Sequence, residues 1–264
     1  MAYFKINNQT NFYYEEHGKG KKTIIFVNGL AMFAQTWIRQ IEYFKKEYRV
    51  IVYDQRCQGR SAKESSSFHY SLLVDDLKLL MEHLKVEKAA IIGVSYGSFV
   101  AKEFAVRYPA LCEKLVLLAP LRQADFGYRR IWENWHNLLQ KGQFDDFCNI
   151  ILQQSYSRDF FNGMEKTFFT IRDEMKKYYT CQDIILLLES FNPDTDLQNY
   201  NKITVPSLII GAKQDYLHNC RDAAQIASEI AGSRLVLIDS GHAVMIEQTD
   251  AVNGIIGKYL MKKR

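Results

Sequence analysis

Short apolar runs alternate with helical stretches along this chain, and this alternation restricts the possible fold more than any other feature. Strands that alternate with helices predict right-handed crossovers and a mostly parallel, doubly wound α/β sheet with helices on both faces. An opening hairpin, Tyr3–Ile6 with Thr10–Glu15, turns around Asn7-Asn8-Gln9. Six further runs have the pattern of buried strands: Thr23–Gly29, Tyr48–Arg56, Ala89–Ser95, Lys114–Pro120, Val205–Asp215 and Ser233–His242. Helices are predicted at Gln35–Lys46, Leu72–Leu84, Gly97–Tyr108, Arg221–Ala231 and Asp250–Met261.

The strand pattern is interrupted once, between about residues 122 and 200. This stretch reads as helical and rich in aromatic residues, with no convincing strand. A length of 264 residues fits one large domain with an insertion. We therefore predict an α/β core formed by residues 1–121 and 201–264, and a helical lid formed by residues 122–200. Because ligands of open α/β sheets bind outside the carboxyl ends of the strands, the site is expected at that edge.

The composition is that of an ordinary globular protein. Apolar residues make up 47% of the chain and charged residues 24%, which is typical of soluble domains. The net charge of +4 is small, and the basic residues form no stripe with interleaved aromatics. No apolar stretch reaches the roughly 18 residues of a membrane span, and no signal-peptide pattern opens the chain. We expect no nucleic-acid partner, no membrane span, and a monomer or dimer.

The cysteines indicate neither a zinc site nor a disulfide framework. There are five of them, widely spaced and without a C-x-x-C pair. This usage predicts a reduced, cytoplasmic protein with no metal. We expect no organic cofactor either.

A serine stands between two glycines where a predicted strand meets a predicted helix, in Gly93-Val94-Ser95-Tyr96-Gly97. The glycines allow neighbouring backbone to pass close by, and the serine hydroxyl is exposed at the start of the helix, where N–H groups are unpaired. Ser95 is therefore the candidate nucleophile, with a plain glycine turn as the alternative interpretation.

A serine hydroxyl needs a base to become an effective nucleophile. His242 follows the last predicted strand and is the candidate base, with His218 in reserve. The carboxylate that orients the imidazole is predicted to be Asp215, which closes the preceding strand. Three other carboxylates are weaker candidates: Asp239 is too close along the chain to reach Nδ1 from the required side, and Asp194 and Asp196 end the insertion.

Two main-chain N–H groups are predicted to stabilise an oxyanion. One belongs to Tyr96, directly after the serine. The other belongs to Leu30, in the loop after Asn28-Gly29, with Ala31 as the neighbouring alternative. Water-facing amides of a glycine turn are the alternative interpretation of this loop.

Together these segments resemble the α/β-hydrolase superfamily over nearly the whole chain. The resemblance includes the Asn-Gly loop with Trp37 downstream, Tyr53–Ser61, the serine turn, and Gly241-His242 with Glu247. The order Ser95, Asp215, His242 is also that of the superfamily. Cys57 replaces a glycine that is usual in the second segment, which makes this turn less permissive; as an alternative nucleophile it is a weak candidate.

The resemblance implies a serine hydrolase that cleaves carboxylic ester or thioester bonds of small apolar acyl substrates. Asn28 stands where many members carry histidine, and the loop also resembles enol-lactonases and 3-hydroxyacyl-carrier-protein acyltransferases, so a carrier-bound acyl substrate is an alternative. A non-catalytic small-ligand receptor on the same fold is another. Asn28, Trp132 and Trp135 are the predicted substrate contacts.

Overall fold

The computed structural model describes residues 2–6 and 10–262. Eight strands of this part of the chain form one sheet: β1 (Ala2–Ile6), β2 (Thr10–His17), β3 (Lys22–Val27), β4 (Tyr48–Tyr53), β5 (Ala89–Val94), β6 (Cys112–Leu118), β7 (Ser207–Ala212) and β8 (Arg234–Ile238). Their order is β1-β2-β4-β3-β5-β6-β7-β8. β2 pairs antiparallel with β1 and β4, and all other neighbours are parallel. The predicted mostly parallel α/β sheet is confirmed.

Helices occupy the connections between the strands. In chain order they are α1 (Ile38–Phe44), α2 (Ser71–His83), α3 (Tyr96–Arg107), α4 (Phe126–Gln140), α5 (Phe144–Ser155), α6 (Arg158–Gly163), α7 (Phe168–Tyr178), α8 (Cys181–Glu189), α9 (Cys220–Glu229), α10 (Val244–Glu247) and α11 (Thr249–Met261). The five helices α4 to α8 all lie between β6 and β7.

The two faces of the sheet are buried in two separate apolar clusters. Successive strand side chains point to opposite faces, so Ile25 and Val27 of β3 join one cluster while Ile24 and Phe26 join the other. The first cluster contains apolar residues of α2, α3 and α9, and the second contains those of α1 and α11. Because both faces are covered, the strands read in the sequence as continuous apolar runs.

The structure differs from the sequence prediction at several element ends. The strand predicted to reach Arg56 ends at Tyr53, because the Asp54 carboxylate accepts hydrogen bonds from the main-chain N–H groups of Ala34 (2.6 Å) and Arg60 (2.8 Å) and the chain turns there. The helix predicted from Gln35 begins as a 3-10 turn over Ala34–Trp37. The short helix α10 was not predicted. The turn expected at residues 7–9 lies outside the described residues.

Candidate active site

Ser95 lies at the sharp join of β5 and α3, at the carboxyl edge of the sheet. Its backbone has φ 50° and ψ −120°, a strained conformation for a residue with a side chain. The main chain is held on both sides, because Ser95 N–H donates to the Leu118 carbonyl (2.9 Å) and the Ser95 carbonyl accepts from Ser98 N–H (2.8 Å). Ser95 lines a cavity together with residues of α4, α5, α7 and α8.

The two glycines around Ser95 are required by close backbone packing. A Cβ on Gly93 would lie 2.2 Å from the Gly97 carbonyl oxygen, and a Cβ on Gly97 would lie 2.3 Å from the Val27 carbonyl oxygen. Both distances are far below van der Waals contact. The turn is therefore a specific structure and not a generic glycine loop.

Gly97→Ala is expected to lower the free energy of unfolding by about 2 kcal/mol or more, because the backbone of β3 cannot move away without disturbing the sheet. Gly254→Ala is the matched control. Its new methyl group meets nothing within 4 Å in the middle of α11, so the stability should stay equal or rise. Urea unfolding of both variants measures the difference. Equal stability of the two variants would contradict this close packing around Gly97.

Asp215 and His242 form a buried hydrogen-bonded pair beside this turn. Asp215 follows β7 and His242 follows β8, so the parallel strands bring both to the carboxyl edge. His242 Nδ1 donates to Asp215 Oδ2 over 2.8 Å, and the two side chains are 7% and 1% exposed. Asp215 Oδ1 accepts from the main-chain N–H groups of Leu217 and His218, both at 2.8 Å. Both oxygens of this buried carboxylate are therefore hydrogen-bonded.

The environment keeps Asp215 ionised at neutral pH. Burial alone would raise its pKa, but the charge interaction and hydrogen bond with His242, together with the His218 main-chain N–H, hold the pKa below its ordinary value. An ionised carboxylate fixes Nδ1 of His242 as the protonated nitrogen. The other ring nitrogen, Nε2, is buried and has no hydrogen-bond partner among residues 2–6 and 10–262. His242 and Ser95 both line the same cavity.

Leu30 and Tyr96, the predicted oxyanion residues, also line this cavity. Tyr96 is the first residue of α3, and its phenol oxygen forms a hydrogen bond with the Ser190 hydroxyl (2.6 Å). At this position its main-chain N–H has no hydrogen-bond partner within the helix. In the loop after β3, which carries Leu30, the backbone of Ala31 has φ 57°, in the left-handed region that is typical of tight turns.

Asn28 does not line the cavity, contrary to the predicted substrate contact. Its side chain is fully buried; Oδ1 accepts from Trp37 Nε1 (2.8 Å) and Nδ2 donates to the Tyr53 carbonyl (3.1 Å). Asn28 therefore fastens the loop that carries Leu30 to its neighbours. Trp132 and Trp135 of α4 do line the cavity, and Trp135 Nε1 donates to Gln154 (2.9 Å).

The alternative acid residues and Cys57 are engaged elsewhere. Asp239 accepts from Gln214 (2.9 Å), Asp194 pairs with Arg129, and Asp196 lies 3.2 Å from His69. Cys57 is fully buried, and burial raises the pKa of its thiol to about 11. Its φ of 62° lies in the left-handed region that favours glycine, in line with the less permissive turn expected there.

The cavity is largely apolar and has a volume of about 400 Å³, within the range of small-molecule sites. Helices α4, α5, α7 and α8 contribute one wall, and the serine turn and the loops after β3, β7 and β8 contribute the other. Its apolar lining residues include Leu30, Val94, Phe99, Trp132, Ile151, Leu152, Met175, Leu188 and Leu217. In the described part of the chain, no three His, Cys, Asp or Glu residues are grouped to bind a metal.

Glu247 connects the loop carrying His242 to the helices of the insertion, a role that sequence reasoning missed although it singled out this residue. Its carboxylate accepts from Gly241 N–H (3.0 Å), Ser157 N–H (2.8 Å) and the Ser157 hydroxyl (2.6 Å). Ala243 N–H also donates to the Ser155 carbonyl (2.8 Å). The residues directly before and after His242 are therefore both linked by hydrogen bonds to the insertion, Gly241 through Glu247 and Ala243 directly.

Glu247→Ala is expected to lower the free energy of unfolding by about 2 kcal/mol, because it leaves donors that were bound to a charged group without a partner. Glu165→Ala, at an exposed position in the same insertion, should change stability by less than about 0.5 kcal/mol. Urea unfolding compares the two. A Glu247→Ala protein as stable as the Glu165→Ala protein would show that these hydrogen bonds contribute no net stability.

In the described residues, none of the helices combines the length and apolar character needed to span a bilayer.

A mostly parallel sheet with a strained serine turn and a buried Asp–His pair at its carboxyl edge defines a recognisable class of α/β protein. The family model described as alpha/beta hydrolase fold matches residues 22–249, and the chain belongs to that family.

Comparisons with individual proteins agree with this membership. The chain is 27% identical over 266 residues to the "Putative carbamate hydrolase RutD" of Agrobacterium fabrum, covering 94% of this chain and 98% of that protein. The crystal structure of MGS-M2, an α/β hydrolase from a Medee basin deep-sea metagenome library, superposes with a TM-score of 0.93 at 25% identity, covering 100% and 98% of the two chains. The enol-lactonase of Burkholderia xenovorans LB400 gives a TM-score of 0.90 at 23% identity, covering 99% and 100%.

Proposed function

We propose that this protein is a serine hydrolase that cleaves carboxylic ester or thioester bonds of small apolar acyl substrates through an acyl intermediate on Ser95. The observation that carries the proposal is the state of His242. Its Nδ1 is bound to Asp215 at 2.8 Å, while its buried Nε2 has no partner among the described residues. A free imidazole nitrogen in a cavity that a serine also lines is suited to remove the hydroxyl proton.

In the first half of the reaction, Ser95 Oγ attacks the substrate carbonyl carbon as its proton moves to His242 Nε2. Asp215 stabilises the resulting imidazolium through Nδ1–H. The carbonyl oxygen becomes an oxyanion, for which we assign the main-chain N–H groups of Tyr96 and Leu30 as donors. When the carbonyl re-forms, the bond to the leaving oxygen or sulfur breaks and His242 gives its proton to the leaving atom.

In the second half, a water molecule replaces the leaving group. His242 Nε2 takes a proton from the water as the water oxygen attacks the acyl carbon, and the same two N–H groups hold the new oxyanion. The acyl–Ser95 bond then breaks and Ser95 Oγ receives the proton from His242. The products are a carboxylic acid and the free enzyme, and each step needs only side chains and main-chain groups of this site.

We further propose that residues 122–200 act as a lid over the site. Side chains of α4, α5, α7 and α8 form one wall of the cavity, and Trp132, Trp135 and Met175 make that wall apolar. Such a surface favours an aliphatic or aromatic acyl group, because burying apolar surface is the main source of binding energy in a cavity of this kind.

The test is a panel of substrates, each followed by release of its own product, with one control variant. p-Nitrophenyl esters of increasing acyl length are compared with a thioester, a lactone and a carbamate, the last two because relatives carry those names. We expect turnover of short to medium esters or of the thioester. Ser228→Ala removes a serine hydroxyl from an exposed helical position; it is the control for Ser95→Ala and should change turnover of no substrate.

The same panel distinguishes the alternatives. Transfer of the acyl group to an added acyl-carrier protein in preference to water would indicate an acyltransferase. Binding of several panel compounds, seen by a thermal shift, without turnover of any of them would indicate a receptor and would refute the hydrolase proposal.

A further inference from the structure

His218 is a second histidine in the cavity, and the reaction proposed for Ser95 does not use it. It lies three residues after Asp215, and its ring is 4.6 Å, centroid to centroid, from that of His242 at an interplanar angle of 81°. It is 5% exposed and lines the same cavity as Ser95. A polar side chain in this position stands next to the reacting groups.

The hydrogen bonding of His218 assigns its tautomer. Nδ1 lies 2.8 Å from the Ala119 carbonyl oxygen, which can only accept, so Nδ1 carries the proton. Burial and the neighbouring His242 lower the pKa of His218 to about 4. The ring is therefore neutral at pH 7, and Nε2 carries a lone pair that can only accept a hydrogen bond.

Nothing in the described part of the protein satisfies this acceptor. The ring packs against two aromatic side chains, Tyr128 at 5.8 Å and Phe99 at 6.4 Å between centroids, and residues 2–6 and 10–262 provide no hydrogen-bond donor to Nε2. Unlike Nε2 of His242, this nitrogen is not completely buried, so it is accessible from the cavity that the His218 ring lines. A ligand that occupies the cavity is one source of the missing donor.

We infer that His218 Nε2 accepts a hydrogen bond from a hydroxyl or N–H group of the substrate close to the scissile carbonyl, so that the preferred substrates are acyl compounds carrying such a donor. This inference rests on the proposed hydrolase function and narrows its substrate class. His218 would then be a specificity-determining residue, because an apolar site with one placed acceptor discriminates between substrates that differ only in that donor.

Pairs of esters that differ only in a donor test this inference. p-Nitrophenyl 2-hydroxybutanoate and 3-hydroxybutanoate are compared with the corresponding methoxy esters, which keep the oxygen but lack the O–H. The N–H arm compares the esters of N-acetylglycine and N-acetylsarcosine. In wild type we expect kcat/KM to favour the donor member of at least one pair by about tenfold or more, and the favoured pair identifies the donor.

The variants His218→Leu and His218→Gln give the second measurement. In His218→Leu, the ratio of kcat/KM for the two esters of the favoured pair should fall to about the ratio of their intrinsic reactivities. His218→Gln keeps an acceptor oxygen and should retain part of the wild-type preference. A purely structural role would lower both members of a pair equally and leave their ratio unchanged, which would overturn the inference. Thermal unfolding identifies any variant that fails to fold.

The wild-type comparison decides the question even if both variants are unstable. No donor preference in any pair would overturn the assignment of His218 while hydrolysis of the unsubstituted butanoate still upheld the proposed function. Absence of hydrolysis of every ester would instead count against the proposed function, and the inference would fall with it.

Discussion

Ser95→Ala is expected to reduce kcat/KM for the best ester of the panel by about 10⁴- to 10⁶-fold. The reason is that Ser95 Oγ would form the covalent bond to the acyl group. Ser155 also lines the cavity, but its hydroxyl donates to the Ile151 carbonyl (2.6 Å) and is not the serine of the strained turn. Cys57 is buried outside the cavity as a protonated thiol. The measurement is steady-state kinetics. Unfolding curves establish that each protein is folded under the assay conditions, so that rates are compared at equal concentrations of folded protein.

The alanine variant should remain folded, because the strained backbone at position 95 is held by main-chain hydrogen bonds to Leu118 and Ser98. Ser228→Ala, on the exposed side of α9, serves as the control for loss of a serine hydroxyl. Retention of more than about a tenth of wild-type activity by Ser95→Ala would mean that another group carries out the chemistry.

Asp215→Asn and His242→Ala form the second prediction. Each is expected to lower kcat by about 10⁴-fold or more, and the double variant should be no worse than His242→Ala alone by more than about tenfold. In Asp215→Asn the carboxylate that fixes Nδ1–H is lost, so the imidazole can take the wrong tautomer. In His242→Ala the proton acceptor itself is absent, so Asp215 has nothing left to orient.

Non-additivity distinguishes a working pair from two independent structural effects. If the two losses multiplied in the double variant, Asp215 and His242 would be acting separately, and the 2.8 Å hydrogen bond between them would have no role in the reaction. Asp239→Asn is the matched carboxylate control, because Asp239 contacts Gln214 at the surface, and it should change kcat less than about twofold.

Much of the fold could be predicted from the sequence because each layer leaves a local signal. A strand buried on both faces is a continuous apolar run, as in Ile24–Val27. In the helices between strands, apolar residues recur every three or four positions. The element ends were less predictable, since they depend on contacts between distant residues. β4 ends at Tyr53 because the Asp54 carboxylate binds N–H groups of Ala34 and Arg60.

In the candidate site too, some residues could be predicted from local sequence, whereas the roles of others depend on contacts between distant residues. Ser95, Asp215 and His242 could be selected because each follows a strand, and parallel strands deliver their carboxyl ends to one edge. The role of Asn28 could not be predicted, since its partners Trp37 and Tyr53 are brought to it only by folding. The same applies to Glu247, whose partner Ser157 is 90 residues away, and to the unsatisfied acceptor of His218.

The central claim, that Ser95 is a nucleophile activated by His242, is tested most directly by an active-site-directed fluorophosphonate followed by mass spectrometry of the digested protein. We expect one phosphonylated peptide, modified at Ser95, with labelling abolished in Ser95→Ala and strongly slowed in His242→Ala. Folded wild-type protein that stays unlabelled, or that is labelled at another residue while Ser95 remains unmodified, would contradict it.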